Sequence, residues 1–328
     1  MKRDKMIMRL ASLFKKKAQL NRNLIVLQED ASEDNQKLTN KVFSQKWKDA
    51  EQKNIITGRG LEFQKSWYLS LYGFKAKENL QRFLISKEII LDAGCGLGYK
   101  SALFAQMSPK SLVIGMDFSD AVFIAKEKYK HLKNLFFIKG DIANTDFKKN
   151  SIDYVSCDQV IHHTTNPEAT FKHLRDITKC NGQFACYVYS KKSLPRELVD
   201  DYFRCNAGKH TTKNMWKFAE QLTALGKALS ELKISFDCPE IPILGIKEGR
   251  YDIQRFIYWN FLKCFWNEGL GRDYSISTNF DWYTPKNAKR YSEREFKDMI
   301  RDNNLKIIYF HREEACYSGR FKKVCSSK

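Results

Sequence analysis

The stretch IILDAGCGLG, residues 89–98, decides the fold. An apolar run ends on Asp92, glycines stand at 94, 96 and 98, and a helical stretch, YKSALFAQM, begins at Tyr99. Glycines in that place let a strand turn tightly into a helix and let the backbone approach a ligand at the helix N-terminus. The spacing is GxGxG rather than the GxGxxG that holds a pyrophosphate. Asp92 would repel an anionic ligand, whereas a cationic sulfonium and an amino group would be drawn to it.

Outward from this loop, short apolar runs alternate with helical stretches: SLVIGMD, SDAVFIAKEKYKHL, LFFIKGD, SIDYVSCD, PEATFKHLRDITK and GQFACYVYS. That alternation predicts a parallel sheet covered by helices, an α/β doubly wound fold. LVIGM and LFFI are continuously apolar, as strands buried on both faces are. Asp117 ends the second strand, 23 residues after Gly94, where an acid can accept from both ribose hydroxyls, with Phe118 beside it. GDI follows the third strand, placing Asp141 for an adenine amino group and Ile142 for packing on the ring.

With these landmarks in order, residues 85–190 resemble the class I S-adenosylmethionine-dependent methyltransferases, particularly the branch of the ubiquinone-pathway enzymes (methyltransferase type 11). The resemblance implies a Rossmann-like sheet of seven strands with S-adenosylmethionine as cofactor. It implies that Asp92, Gly94, Cys95, Gly96 and Gly98 form the methionine-side loop. Asp117 and Phe118 then serve the ribose side, Asp141 and Ile142 the adenine, and CDQVIHHT at 157–164 the wall of the methyl-transfer site, with Asp158 and Gln159 nearest the cofactor. His163, with Asp158, is the catalytic candidate. A histidine here either packs and caps or takes the acceptor's proton, and neutral imidazole suits the second role.

The chain ends depart from that pattern. Residues 1–41 are expected as a basic, mobile N-terminal segment, and 42–190 as a helical lead-in plus the cofactor-binding core. Residues 191–291 are expected as an insertion after the fifth strand that caps the substrate, and 292–328 as a closing helix and strands, with a capping box at Ser292 and Glu295. FIYWNFLKCFW at 256–266 is expected as a buried helix. A second, smaller resemblance, of NFDWYTPKNAKRYSEREF at 279–296 to bacterial glycan and small-molecule methyltransferases, implies that Trp282 and Tyr283 offer flat faces to an acceptor.

Lys and Arg number 57 against 38 acids, a formal charge of +19, which favours a polyanionic partner such as RNA or an anionic membrane surface. The first turns, with Lys2, Arg3, Lys5 and Arg9 among Met6, Ile7, Met8 and Leu10, suit a short amphipathic surface helix as well as a solvated terminus. Arg9 interrupts the one apolar stretch that resembles a secretory signal, so the expected location is cytoplasmic, at most peripheral at the membrane. The nine cysteines form no CxxC pair, so reduced thiols and no metal are expected. The functional readings are a methyltransferase acting on a small molecule or glycan, an RNA methyltransferase, and a non-catalytic binding protein of the same fold. No NPPY-like tetrad stands where CDQV does, and oligomeric state is not encoded.

Overall fold

The computed structural model describes residues 2–16, 18–27, 34–55 and 57–325. The chain divides into two compact units, the first comprising Met1–Glu33, Lys65–Tyr189 and Tyr291–Lys328, the second Asp34–Gln64 and Ser190–Arg290. The strands in chain order are β1 (Leu20–Asn21), β2 (Leu24–Val26), β3 (Ile89–Ala93), β4 (Leu112–Asp117), β5 (Leu135–Lys139), β6 (Ile152–Cys157) and β7 (Thr178–Ser190). They continue with β8 (Ser235–Cys238), β9 (Gly249–Asp252), β10 (Arg290–Tyr291), β11 (Leu305–Arg312) and β12 (Cys316–Lys323).

The first unit is built on a sheet whose main path is β1-β2-β5-β4-β3-β6-β7-β12-β11. From β2 to β7 the pairings are parallel, and β12 lies antiparallel to both β7 and β11. β3, β4 and β5 are buried along nearly their whole length, because helices cover both faces of the sheet. One apolar cluster (Leu91, Ile114, Phe136, Val155, Phe184) lies on one face and a second (Ile90, Val113, Phe137, Tyr154, Tyr187) on the other, following the two-residue period of strands. Strand order reverses between β3 and β6, which makes their carboxyl ends the natural ligand crevice.

Three sequence expectations are corrected. The N-terminal segment holds more than one helix: after Lys2–Ser12 comes the β1–β2 hairpin, and β2 joins the sheet beside β5. Leu10, Leu13 and Phe14 are buried in the core, with Met6 and Ile7 packed against it, so the helix's apolar face is taken up by the protein itself. Part of the expected 1–41 segment lies outside the described residues.

The thiols are not all reduced. Cys180 and Cys325 form a disulfide, with Cα atoms 5.6 Å apart across 145 residues of sequence. Register explains how they meet, since Lys322 on β12 pairs with Gln183 on β7 and the two strands run antiparallel. Among the described residues no helix is long and apolar enough to cross a membrane.

The second unit contains the helices Asp34–Gln52, Leu194–Cys205, Thr212–Glu231, Ile253–Asn260 and Arg272–Tyr283 and the β8–β9 hairpin. The helix expected through 266 stops at Asn260. Side chains of neighbouring segments satisfy the extended backbone beyond it: Gln254 Nε2 donates to the Cys264 carbonyl at 2.9 Å, and Phe265 N donates to Asn279 Oδ1 at 2.8 Å. Gly226 admits this segment, because a Cβ there would stand 2.2 Å from the Cys264 carbonyl oxygen.

Candidate functional site

The glycine loop lies at the carboxyl end of β3. Gly94, Gly96 and Gly98 have φ of 82°, 51° and 74°, a region that residues with a Cβ enter only with strain. Packing adds a second constraint at Gly94, whose Cβ would meet the Val160 methyls at 2.3 and 2.4 Å. The Gly94 and Cys95 amides donate to the Met116 carbonyl at 2.7 and 2.9 Å, which fixes the loop to β4. Cys95 is buried, and burial first, then the charges of Asp117 and Asp92, push its thiol up.

Asp92 is fully buried. Its Oδ2 accepts from Ser101 Oγ at 2.7 Å, while Oδ1 has no hydrogen-bond donor among the described residues and faces Lys100 Nζ at 3.6 Å. Burial pushes its carboxyl up, against the pull of Lys100 and Ser101. Lys100 also donates to Asp158 Oδ2 at 2.9 Å, and Tyr72 Oη donates to Asp158 Oδ1 at 2.8 Å. Burial acts to deprotonate this lysine, but the two carboxylates outweigh it and raise its pKa. Two carboxylates against one ammonium leave the crevice net negative.

Along the same edge, Asp117 Oδ2 accepts from the Gly96 amide at 2.7 Å and Oδ1 from the Ser119 amide and hydroxyl at 2.7 and 2.6 Å. Burial raises its pKa, partly offset by these donors. Phe118 carries the Lys139 ammonium 5.4 Å from its ring centroid. Asp141 Oδ1 accepts from the Ala143 amide at 2.8 Å, burial pushes its carboxyl up, and Ile142 beside it is buried.

After β6, Gln159 adopts φ 62° and its Nε2 reaches Asp158 Oδ2 at 3.4 Å. A 3₁₀ turn, Ile161–His163, then buries both histidines. His162 stacks on Tyr189 with ring centroids 3.7 Å apart, and His163 Nε2 lies 3.5 Å from Tyr189 Oη. Asn166 caps the next helix by accepting from the Ala169 amide at 2.9 Å.

The structure thus gathers Asp92 to Gly98, Asp117, Phe118, Asp141, Ile142, Asp158, Gln159 and His163 along one sheet edge of the first unit. Trp282 and Tyr283 belong to the second unit and are 4% and 1% exposed. Trp282 Nε1 donates to Asp200 Oδ1 at 2.8 Å, and Tyr283 Oη accepts from the Lys263 amide at 2.7 Å. Sequence reasoning passed over Lys100, Tyr72 and Tyr189. Lys100 left one signal, a charge inside an otherwise apolar helical turn.

The carboxylate with an unfilled lone pair, the three side-chain-free loop positions and the net negative crevice fit a cationic sulfonium ligand such as S-adenosylmethionine. They do not fit a pyrophosphate. A family model described as a methyltransferase domain matches residues 84–231. Demethylmenaquinone methyltransferase of Staphylococcus haemolyticus is 29% identical over 118 residues, 35% of this chain and 49% of that protein. Malonyl-[acyl-carrier protein] O-methyltransferase of Legionella pneumophila is 32% identical over 111 residues, 34% of this chain and 39% of that protein. The chain therefore spans less than half the length of these relatives. Magnesium protoporphyrin IX methyltransferase from Synechocystis PCC 6803, solved with bound S-adenosylmethionine, is a looser likeness: 13% identity, TM-score 0.48, covering 90% of this chain and 100% of its own.

Proposed function

We propose that this chain, in which residues 84–231 are a class I S-adenosylmethionine-dependent methyltransferase domain, methylates a small-molecule or glycan acceptor. The observation that carries this reading is the negative, glycine-lined crevice where β3 and β6 diverge, walled by buried histidines and tyrosine. When bound, the cofactor would supply an electrophilic methyl on sulfur, open to attack by the acceptor's nucleophilic atom as the sulfur–methyl bond breaks and the neutral thioether leaves.

The chain's own groups then divide the work. The loop from Asp92 to Gly98 holds the methionine end, Asp117 the ribose, and Asp141 with Ile142 the adenine. Asp158 holds the wall, since Tyr72 and Lys100 already occupy its two oxygens. His163, oriented by Tyr189, takes the proton of an acceptor hydroxyl or amine as the new bond forms. If the acceptor arrives already nucleophilic, positioning by this wall is enough. Relatives named for a quinone and for a carrier-bound malonyl group support a small acceptor. Trp282 and Tyr283 are proposed as acceptor contacts through their ring faces.

The +19 charge favours RNA as a second acceptor class. Peripheral attachment to an anionic membrane rests on the same charge, because the apolar face of the Lys2–Ser12 helix is buried. Incubating the full chain with radiolabelled cofactor and, separately, quinone precursors, acyl carriers, glycans, structured RNA and anionic vesicles tests these readings. Label moving to a small acceptor supports the first. Transfer to RNA, with affinity falling steeply as salt rises, replaces it.

A further inference from the structure

The hairpin that closes the sheet carries three unlike donors at its tip. β11 and β12 pair with His311 opposite Ser318 and Arg312 opposite Tyr317, and Glu313 and Cys316 then exchange both backbone hydrogen bonds, at 3.1 and 3.2 Å. Glu314 and Ala315 alone make the turn. The two-residue period of strands puts His311 and Glu313 on one face, and Cys316, directly opposite Glu313, shares that face.

The side chains converge accordingly. His311 Nε2 is 3.2 Å from Glu313 Oε2, and Cys316 Sγ is 3.5 Å from Glu313 Oε1. All three donor atoms lie within 4.8 Å of one another. Tetrahedral zinc, with bonds of about 2.0 to 2.3 Å, spaces its donors about 3.3 to 3.8 Å apart. Two of the three separations are already close to that, and the third needs a contraction of at most about 1.5 Å. Imidazole nitrogen, carboxylate oxygen and thiol sulfur together suit zinc-like transition ions and not magnesium or calcium, which take oxygen donors. Burial is graded: Cys316 is fully buried, while the His311 and Glu313 side chains keep 18% and 30% exposure. A metal seated on this set would have protein behind it and a fourth position toward solvent, as zinc sites with three protein ligands do.

The placement is next to the methyl-transfer wall. Cys316 pairs across the sheet with Tyr189, whose ring stacks on His162 and whose hydroxyl meets His163. We propose that His311, Glu313 and Cys316 bind one divalent transition-metal ion of the zinc class, leaving one coordination position open.

The test uses the full chain, treated with chelator and titrated with cobalt and zinc under argon. The expected result is one equivalent of metal and a near-ultraviolet sulfur-to-cobalt charge-transfer band. His311→Ala and Cys316→Ser are each expected to weaken binding by more than about tenfold, with Cys316→Ser also removing the band. His311 is half-buried on the hairpin, so its variant tests the site without removing a core side chain; circular dichroism checks both folds. Absence of the band in the wild type overturns the proposal. So does an equivalent of metal that persists unchanged in both variants, since it would belong to other thiols. S-adenosylmethionine binding by the metal-free protein is read separately, so failure here leaves the cofactor assignment standing.

Discussion

Each unit buries a carboxylate with a cation, and the two arrangements end differently. In the second unit, Arg196, 1% exposed, donates through Nε to Asp200 Oδ1 at 3.1 Å, and Asp200 also accepts from the Trp282 indole. The guanidinium lies 5.0 Å from the Trp282 ring centroid, and its Nη1 donates to the Tyr258 carbonyl. In the first unit, Lys100 lies between Asp92 and Asp158, and Asp92 keeps an oxygen without a hydrogen-bond donor among the described residues, beside a loop with three glycines. A buried pair closed by its neighbours specifies packing. One left with acceptor capacity and room beside it describes a ligand's place.

That contrast yields predictions, from the largest expected effect down. Trp282→Ala should destabilise the protein by about 3 to 5 kcal/mol through lost packing and the loss of the indole donor to buried Asp200. Chemical denaturation measures this, and a loss of activity with unchanged stability would instead move Trp282 from the packing class to the ligand class. Asp92→Asn should do the opposite, sparing or raising stability while weakening S-adenosylmethionine by about 2 to 3 kcal/mol. Calorimetry should show a smaller loss for the demethylated product, whose sulfur is uncharged. Equal losses for both ligands would mean that Asp92 does not read the sulfonium.

Asp117→Ala should cost about 1.5 to 3 kcal/mol of cofactor affinity, and part of that cost comes from freeing the Gly96 amide. Unchanged affinity in the same titration would remove it from the ribose role. The smallest effect concerns Lys263, buried with its ammonium 4.2 Å from the Trp282 centroid and its pKa lowered to about 7, chiefly by burial, with Arg196 and Lys46 assisting and Asp281 and Asp200 opposing. Its folded-state pKa lies below the unfolded value, so the unfolded chain holds the extra proton between about pH 7 and 10.5. Stability should therefore rise with pH across that window and be lowest, as far as this group decides, below pH 7. Lys263→Met should flatten the slope and add about 1 to 2 kcal/mol at pH 7, read from melting curves at several pH values.

What was legible in the sequence follows from how local its cause is. The glycine loop could be read because positive φ at 94, 96 and 98 and the close approach of Val160 dictate residue type within a few positions. β3, β4 and β5 could be read because burial on both faces makes continuous apolar runs. Lys100 could not be assigned, since its partner Asp158 lies 58 residues away and is steadied by Tyr72, one residue past the helix Gly58–Leu71. The end of the helix at Asn260 depends on side chains of Gln254 and Asn279 that accept an irregular backbone, and an apolar run does not reveal it. β1 and β2, two and three residues long, are too short to show alternation.

The small strand β2 bears on how the chain is made. Leu24 pairs with Phe137 and Val26 with Lys139, so a segment that leaves the ribosome before β5 has only its hairpin partner β1 until more than a hundred residues later. Until then its apolar residues, with Leu10, Leu13 and Phe14 of the same core, wait undocked, and the β5 edge that β2 covers does not yet exist. Slowing translation between these stretches should lengthen the interval in which both are exposed, and the expected harm is intermolecular strand pairing rather than a misplaced glycine loop.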